Sequence, residues 1–317
     1  MGSWRQELLD AARAAVKEDL MQRLPLAGRS RQFAVVLGGS AVTDDCDEYS
    51  GCDLIVFRVA GRREGSTAKP AQGTYRWQSV RHGPHHYRFT QLDIEAFWEA
   101  VRAADDSALY LLRHGEVIHD PQKRLGVRWD DPPAVPPEVW TQKLAVRYRA
   151  FRQRRASLAW CLRRGQPVAV LDNLRLLLEH GLSCCFYLGG EPAPARKWIF
   201  RGALRTEAGR VLRAPVLDLL SSLGELTVLG GSRNLRQNRL YQGVSRVQDA
   251  LEALFLGAGL PVPGLAVLAP DAKLDVGETL RWEGAEWSAP RLRAPRRPGR
   301  AAATLGGASG QAQSKTT

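Results

Sequence analysis

The residues best suited to chemistry lie in one stretch, Gly38 to Phe57, which reads GGSAVTDDCDEYSGCDLIVF. Its Gly-Gly-Ser turn follows an apolar run. Such small residues let the backbone approach a phosphate, with amide groups and the Ser40 hydroxyl as donors. The stretch ends in a second apolar run with one carboxylate, Asp53, near its start. It is therefore either a metal and phosphate site or only a loop between two strands.

A metal site at Asp53 needs further carboxylates, because hard cations such as Mg²⁺ take several oxygen ligands. Residues i and i+2 of a strand project from the same face, so Asp53 shares its face with Gly51, which has no ligand to offer. Acids of the connection could bend inward and replace the missing ligand: Asp44, Asp45, Asp47 and Glu48.

A third carboxylate is expected on the neighbouring hairpin strand, HHYRFTQL. Its inward candidates are Arg88 and Thr90, which are not acids, and Asp93 just beyond could reach the site only in another register. Asp93 is better placed as a helix N-cap. The alternative for Asp53 is a strand-edge carboxylate paired with an arginine.

The order of strand, Gly-Gly-Ser turn, polar connection and YSGCDLIVF resembles the signature of nucleotidyltransferases of the polymerase-beta superfamily. The antibiotic-modifying kind, related to kanamycin and lincosamide nucleotidyltransferases, is the most similar. That family typically reads Tyr-Ser-Asp-x-Asp-Leu in the second strand, and Tyr49, Ser50, Asp53 and Leu54 match while Gly51 departs. The segments YLLRHGEVIHDPQKRL and CFYLGGEPAPARKWIF are also similar to the family.

The resemblance implies transfer of a nucleoside monophosphate from a nucleoside triphosphate, with Mg²⁺, to a hydroxyl of an acceptor. Two metal ions about 4 Å apart would activate the hydroxyl and hold the triphosphate. Asp53 would be the principal metal ligand, with Asp47, Glu48 or Asp93 completing the site. Glu179 is a candidate general base. The phosphate-binding candidates are Gly38, Gly39, Ser40, Ser50 and Lys197, although Lys197 could equally satisfy carbonyl groups at a helix end.

Because Gly51 leaves the metal motif incomplete, a second hypothesis is a protein that kept the fold and lost its metals. Such a protein would sense a nucleotide or bind an anionic partner through its arginines. The net charge of +12 and the pI of about 9.9 favour anionic partners without choosing among them. Nucleic-acid binding by the arginine-rich segment 147–164 is the weaker interpretation, since arginine stems also cover apolar surfaces.

The predicted fold class is α/β (α+β), with a small mixed sheet followed by a mainly α-helical bundle. Hydrophobic spacing predicts a first helix over Ser3–Arg23, and a hairpin turning at Gly83-Pro84. Strands are predicted at Gln32–Leu37 and Cys52–Val59, and a short strand and turn in HGEVIHDP. Later helices are predicted at Val139–Arg164, Val168–Leu188, Val211–Leu223 and Val244–Gly257.

The proline-rich stretch Asp130 to Glu138 is the predicted domain boundary. It separates a nucleotidyltransferase-like domain, residues 1–130, from a helical domain, residues 139–265. A short extension would follow at 266–293, and the basic, low-complexity tail at 294–317 is expected to be disordered.

The five cysteines form no Cys-x-x-Cys pair, which argues against a disulfide framework and a cysteine zinc site. No apolar run approaches the roughly 20 residues needed to cross a bilayer. A cytoplasmic protein without a membrane partner is therefore expected. A homodimer contact through the helical part stays open.

Overall fold

The computed structural model describes residues 2–20, 33–43, 46, 50–58, 78–82, 85–224, 234–260, 281–283 and 286–288. The predicted fold class is confirmed, since a mixed sheet is followed by a mainly helical part. The five strands of this sheet are β1 Phe33–Gly38, β2 Cys52–Arg58, β3 Gln78–His82, β4 His85–Asp93 and β5 Glu116–His119. Two short strands, β6 Arg281–Glu283 and β7 Glu286–Ser288, pair with each other.

The strand order is β3-β4-β2-β1-β5. β2 and β4 run parallel, and the other neighbouring strands are antiparallel. The predicted hairpin is confirmed, because β3 and β4 are antiparallel with His82 opposite His85. Its turn, Gly83-Pro84, lies outside the described residues.

Nine helices are described. They are α1 Gly2–Ala15, α2 Ile94–Arg102, α3 Asp106–His114, α4 Gly126–Asp130, α5 Pro137–Arg163, α6 Pro167–Leu188, α7 Arg196–Ala203, α8 Glu207–Ser221 and α9 Arg239–Gly257. α1 continues into one π-helical turn, Val16–Leu20, and the remainder of the predicted first helix lies outside the described residues. The predicted tail at 294–317 also lies outside them. None of the described helices has the length and hydropathy required to cross a membrane.

The two faces of the sheet bury different sets of residues, because successive side chains of a strand point to opposite faces. Val35 and Leu37 of β1 pack with α1 in one core. Ala34 and Val36 point to the other face, where the second core includes Phe57 of β2 and extends into the helical part as far as α9. The second core therefore runs across the predicted boundary at 130–138.

Phe57 is the link between the sheet and the helices above it. Its ring makes an edge contact with Phe97 of α2 at 4.9 Å between centroids, and Phe97 stacks on Trp129 at 5.7 Å. Asp53, Ile55 and Phe57 are each two residues apart along β2 and so lie on the same face. The carboxylate of Asp53 is thereby presented on the side of the sheet that faces the helices.

Candidate functional site

The Gly-Gly-Ser turn is built directly against Asp53. In the antiparallel pair of β1 and β2, Gly38 lies opposite Asp53. Gly39 has a φ of +73°, and a Cβ added there would lie 2.4 Å from Asp53 Oδ2. A Cβ on Gly38 would come within 2.8 Å of Leu111 in α3. Gly39 is needed because of its backbone conformation and its contact with Asp53, whereas a side chain at Gly38 would require Leu111 to shift.

Ser40 lies in the short 3₁₀ turn Gly39–Val42 and is only 2% exposed. Its carbonyl accepts hydrogen bonds from the backbone N–H and the hydroxyl of Thr43, both at 3.1 Å. Its own Oγ is buried and has no hydrogen-bond partner among the described residues. A buried hydroxyl without a partner is costly, so the turn that follows Gly39 holds a hydrogen-bonding group that no described residue uses.

Asp53 is ion-paired with Arg88. The parallel register of β2 and β4 places Arg88 next to Asp53 and Thr90 next to Ile55. These are the two residues that were predicted to lie on the Asp53 side of β4. Arg88 Nη2 lies 2.6 Å from Asp53 Oδ1. Asp53 is therefore a strand carboxylate paired with an arginine, which was the alternative to a metal ligand.

Two cations and burial act in opposite directions on the Asp53 carboxyl. Burial raises its pKa above the usual range, and Arg88 and then Lys197 oppose that rise. Lys197 belongs to the first turn of α7, far along the chain from β2. The fold thus brings Lys197 of the helical part, a predicted phosphate-binding residue, close enough to interact with Asp53, the predicted metal ligand.

The predicted metal ligands do not all come together. Asp93 caps α2, where its carboxylate accepts the backbone N–H groups of Glu95 and Ala96. It lies five positions beyond Arg88 on β4, roughly 16 Å away at the rise of a strand. Asp93 is therefore the N-cap that was predicted for it, and it is not brought to Asp53.

Ser50 and Gly51 are the described residues of the connection that lie directly before β2. Ser50 is half-buried just before β2, and a Cβ on Gly51 would have no neighbour within 4 Å. The acids Asp44, Asp45, Asp47 and Glu48, and Tyr49, lie outside the described residues. Among the described residues, a side chain at Gly51 would therefore meet no close neighbour.

These residues do not fit a two-metal centre. Within the described ranges, no three His, Cys, Asp or Glu side chains cluster as a metal ion would require. Among the described residues the site offers one carboxylate, Asp53, and a guanidinium lies on the strand where a further acidic ligand was expected. A cationic guanidinium repels a divalent cation and competes with it for the Asp53 oxygens.

Glu179, the candidate general base, is held in ion pairs with two arginines. Its Oε2 lies 2.7 Å from Arg196 Nε and 3.4 Å from Arg175 Nη1. Arg196 directly precedes Lys197 at the start of α7. The contact fixes α7 on α6, so Glu179 helps to place Lys197 and its carboxylate is already engaged.

A polar cluster around Asp106 joins α3 to the helical hairpin of α5 and α6, and sequence reasoning missed it. Lys143 Nζ lies 2.8 Å from Asp106 Oδ1, the Tyr187 hydroxyl donates to Oδ2 at 2.5 Å, and Arg147 Nη2 lies 3.7 Å from Oδ2. We call these four residues the Asp106 cluster. Burial, and then Asp106, raise the pKa of Tyr187, so the phenol stays protonated and donates.

His180 is buried beside this cluster. Its Nδ1 lies 3.5 Å from Arg147 Nη1. Burial lowers the pKa of His180 from 6.5 to about 4, with further lowering by Arg147, Arg154 and Arg196. The ring is therefore neutral at pH 7 and accommodates the surrounding guanidiniums without adding a positive charge.

His180 should make stability fall as the solution is acidified from pH 6.5 to 4. In that window the unfolded chain takes up the proton and the folded chain does not, so the free energy of unfolding declines by up to about 3 kcal/mol. Denaturant unfolding of the wild type and His180→Gln at several pH values measures the difference. The exposed His86→Gln is the control. A wild type to His180→Gln difference that stays constant from pH 7 to 4 would contradict this account.

The chain was compared with protein families, curated proteins and solved structures. No curated protein matches it. Residues 101–199 match the family described as "Domain of unknown function (DUF4037)", a stretch that contains the Asp106 cluster, Glu179 and Lys197 but not Asp53. Among solved structures, the chain is similar to a nucleotidyltransferase-like protein from Exiguobacterium sibiricum. The two are 13% identical with a TM-score of 0.40, over 79% of this chain and 75% of that one.

Proposed function

We propose that this chain is a nucleotidyltransferase-like protein that binds the phosphates of a nucleoside triphosphate without a metal ion and does not transfer the nucleotidyl group. The proposal rests on one observation, the contact of Arg88 Nη2 with Asp53 Oδ1 at 2.6 Å. Arg88 lies on β4, the strand on which a further metal-binding carboxylate was expected. The resemblance found in the sequence is the reason for proposing a nucleotide as the ligand. The cations around Asp53 are the reason for proposing that no metal ion binds there.

The guanidinium takes over the electrostatic part of the metal's role. In nucleotidyl transfer the metal ions neutralise the triphosphate and activate the acceptor hydroxyl. A guanidinium neutralises charge and binds phosphate oxygens in a bidentate manner, but it cannot activate a hydroxyl as a metal ion does. Arg88 is about half-exposed on its side chain, so it can contact Asp53 and still reach a ligand.

The turn and the helical part supply the remaining contacts. Gly39 brings its backbone against Asp53, and the buried Ser40 hydroxyl would gain a phosphate oxygen as its partner. Lys197 approaches from α7, so the phosphates would lie between the sheet and the helical part. Binding of this kind suits a nucleotide sensor, because a ligand held by both parts stabilises their contact.

Lys197→Ala should weaken triphosphate binding by roughly 10- to 100-fold, since it removes one charge-assisted hydrogen bond. Calorimetry in a chelator, with each of the four common nucleoside triphosphates, measures this loss. Lys17→Ala removes an exposed lysine of the α1 continuation and should leave the affinity unchanged. Equal affinities for all three proteins would show that the phosphates do not reach α7.

Gly51→Asp combined with Arg88→Asp should create the metal affinity that the wild type is proposed to lack. Gly51 has open space for the new carboxylate, and the second change removes the competing cation. The double variant should be stabilised by Mg²⁺ in thermal unfolding, whereas the wild type should not respond. Stabilisation of the wild type by Mg²⁺ would favour the rival function, metal-dependent nucleotidyl transfer to a hydroxyl acceptor.

A further inference from the structure

Three large apolar side chains are exposed at one end of the helical hairpin formed by α5 and α6. Trp160, near the end of α5, is 56% exposed, and Val168 and Leu171, in the first turns of α6, are 79% and 48% exposed. We call residues 160–171 the hairpin tip. Val168 and Leu171 are three residues apart and share a helix face, while Val170 and Leu174 of the same helix are buried.

The hairpin tip is also basic. Residues 160–171 contain two arginines, Arg163 and Arg164, and no acidic residue. The guanidinium carbons of Arg163 and Arg164 lie 5.4 and 5.8 Å from the centre of the Trp160 ring. Exposed apolar groups and cations therefore occupy the same end of the molecule.

We propose that the hairpin tip binds the surface of an anionic lipid bilayer. Trp side chains favour the boundary between water and hydrocarbon, where the ring is apolar and the indole N–H stays hydrated. Val168 and Leu171 would enter the acyl region, and Arg163 and Arg164 would pair with lipid phosphates. The earlier expectation of no membrane partner rested on the lack of a spanning segment, which surface binding does not need.

The other possible occupants fit the tip less well. A nucleic acid would use the arginines but would gain nothing from Val168 and Leu171, and guanidiniums already lie over the Trp160 ring. A second copy of the chain would bring two arginine-rich tips together, and like charges repel. A peptide segment typically binds in a groove or along a sheet edge, whereas the three exposed side chains project from helices. An anionic bilayer surface offers a partner both to the arginines and to the apolar side chains.

Sedimentation with lipid vesicles tests the proposal on the full chain. The protein should sediment with vesicles of phosphatidylcholine and phosphatidylserine about tenfold more than with phosphatidylcholine alone. Val168→Ser with Leu171→Ser should reduce binding by about tenfold, and the exposed positions leave the fold intact. The matched control replaces two exposed residues of α8, Val211→Ser with Leu217→Ser, and should bind as the wild type does.

Four results would overturn the proposal. The first is no sedimentation with the anionic vesicles. The second is an equal result in the hairpin and α8 variants: equal loss would mean that exposed apolar residues act regardless of their position, and no loss in either would mean that general charge alone attracts the protein. The third is a change of oligomeric state in the hairpin variant, seen by analytical ultracentrifugation, which would make the tip a contact between copies. Binding to a single-stranded oligonucleotide that competes with vesicles and ignores the two serines would likewise replace lipid with nucleic acid.

Discussion

Gly39→Ala should abolish triphosphate binding and lower the free energy of unfolding by about 2–5 kcal/mol. The left-handed backbone at Gly39 costs an alanine roughly 1–2 kcal/mol by itself. The added methyl group would also lie 2.4 Å from Asp53 Oδ2, so the carboxylate must move and lose its contact with Arg88. Calorimetry with nucleoside triphosphates and denaturant unfolding measure the two effects.

Gly259→Ala is the matched control for the backbone part of this prediction. Gly259 has a φ of +68°, close to that of Gly39, but a Cβ there would have no neighbour within 4 Å. It should cost only the backbone term and leave binding intact. In an Asp53→Ala background, Gly39→Ala should cost no more than Gly259→Ala. Equal stability losses for both glycines in the wild-type background would contradict the close contact with Asp53.

Asp106→Asn should lower the free energy of unfolding by about 3 kcal/mol, because it leaves Lys143 and Arg147 without their carboxylate. The side chains of Asp106 and Lys143 are mostly buried, so water cannot replace the lost partner. The amide keeps the shape of the carboxylate, which confines the change to its charge. Denaturant unfolding at pH 7 gives the value.

Asp172→Asn provides the comparison for an exposed ion pair. Asp172 pairs with Arg175 at 3.1 Å, and its side chain is mostly exposed. Its loss should cost less than about 1 kcal/mol. Similar costs at Asp106 and Asp172 would mean that the Asp106 cluster does not hold α3 to the helical hairpin.

The sheet and its turn could be predicted because their signals are local. Apolar runs, the Gly-Gly-Ser turn and Gly83-Pro84 indicate the strands and the hairpin within a few residues of each signal. The inward position of Arg88 also followed from alternation along β4. The sequence left two alternatives for Asp53, a metal ligand or a carboxylate paired with an arginine.

The contacts made by the helical part could not be predicted in the same way. Asp106 meets Lys143 across 37 residues and Tyr187 across 81, and no local pattern marks such partners. α7 was missed because its eight residues are too few for a helical period to be visible. The approach of Lys197 to Asp53, and the engagement of Glu179 by Arg196, both depend on that helix.

Metal dependence of nucleotide binding tests the central claim most directly. Calorimetry on the wild-type chain would titrate each nucleoside triphosphate once with a chelator and once with excess Mg²⁺. We predict binding of at least one triphosphate in the chelator, with an affinity that Mg²⁺ does not strengthen. Binding that appears only with Mg²⁺, or no binding under either condition, would contradict the account.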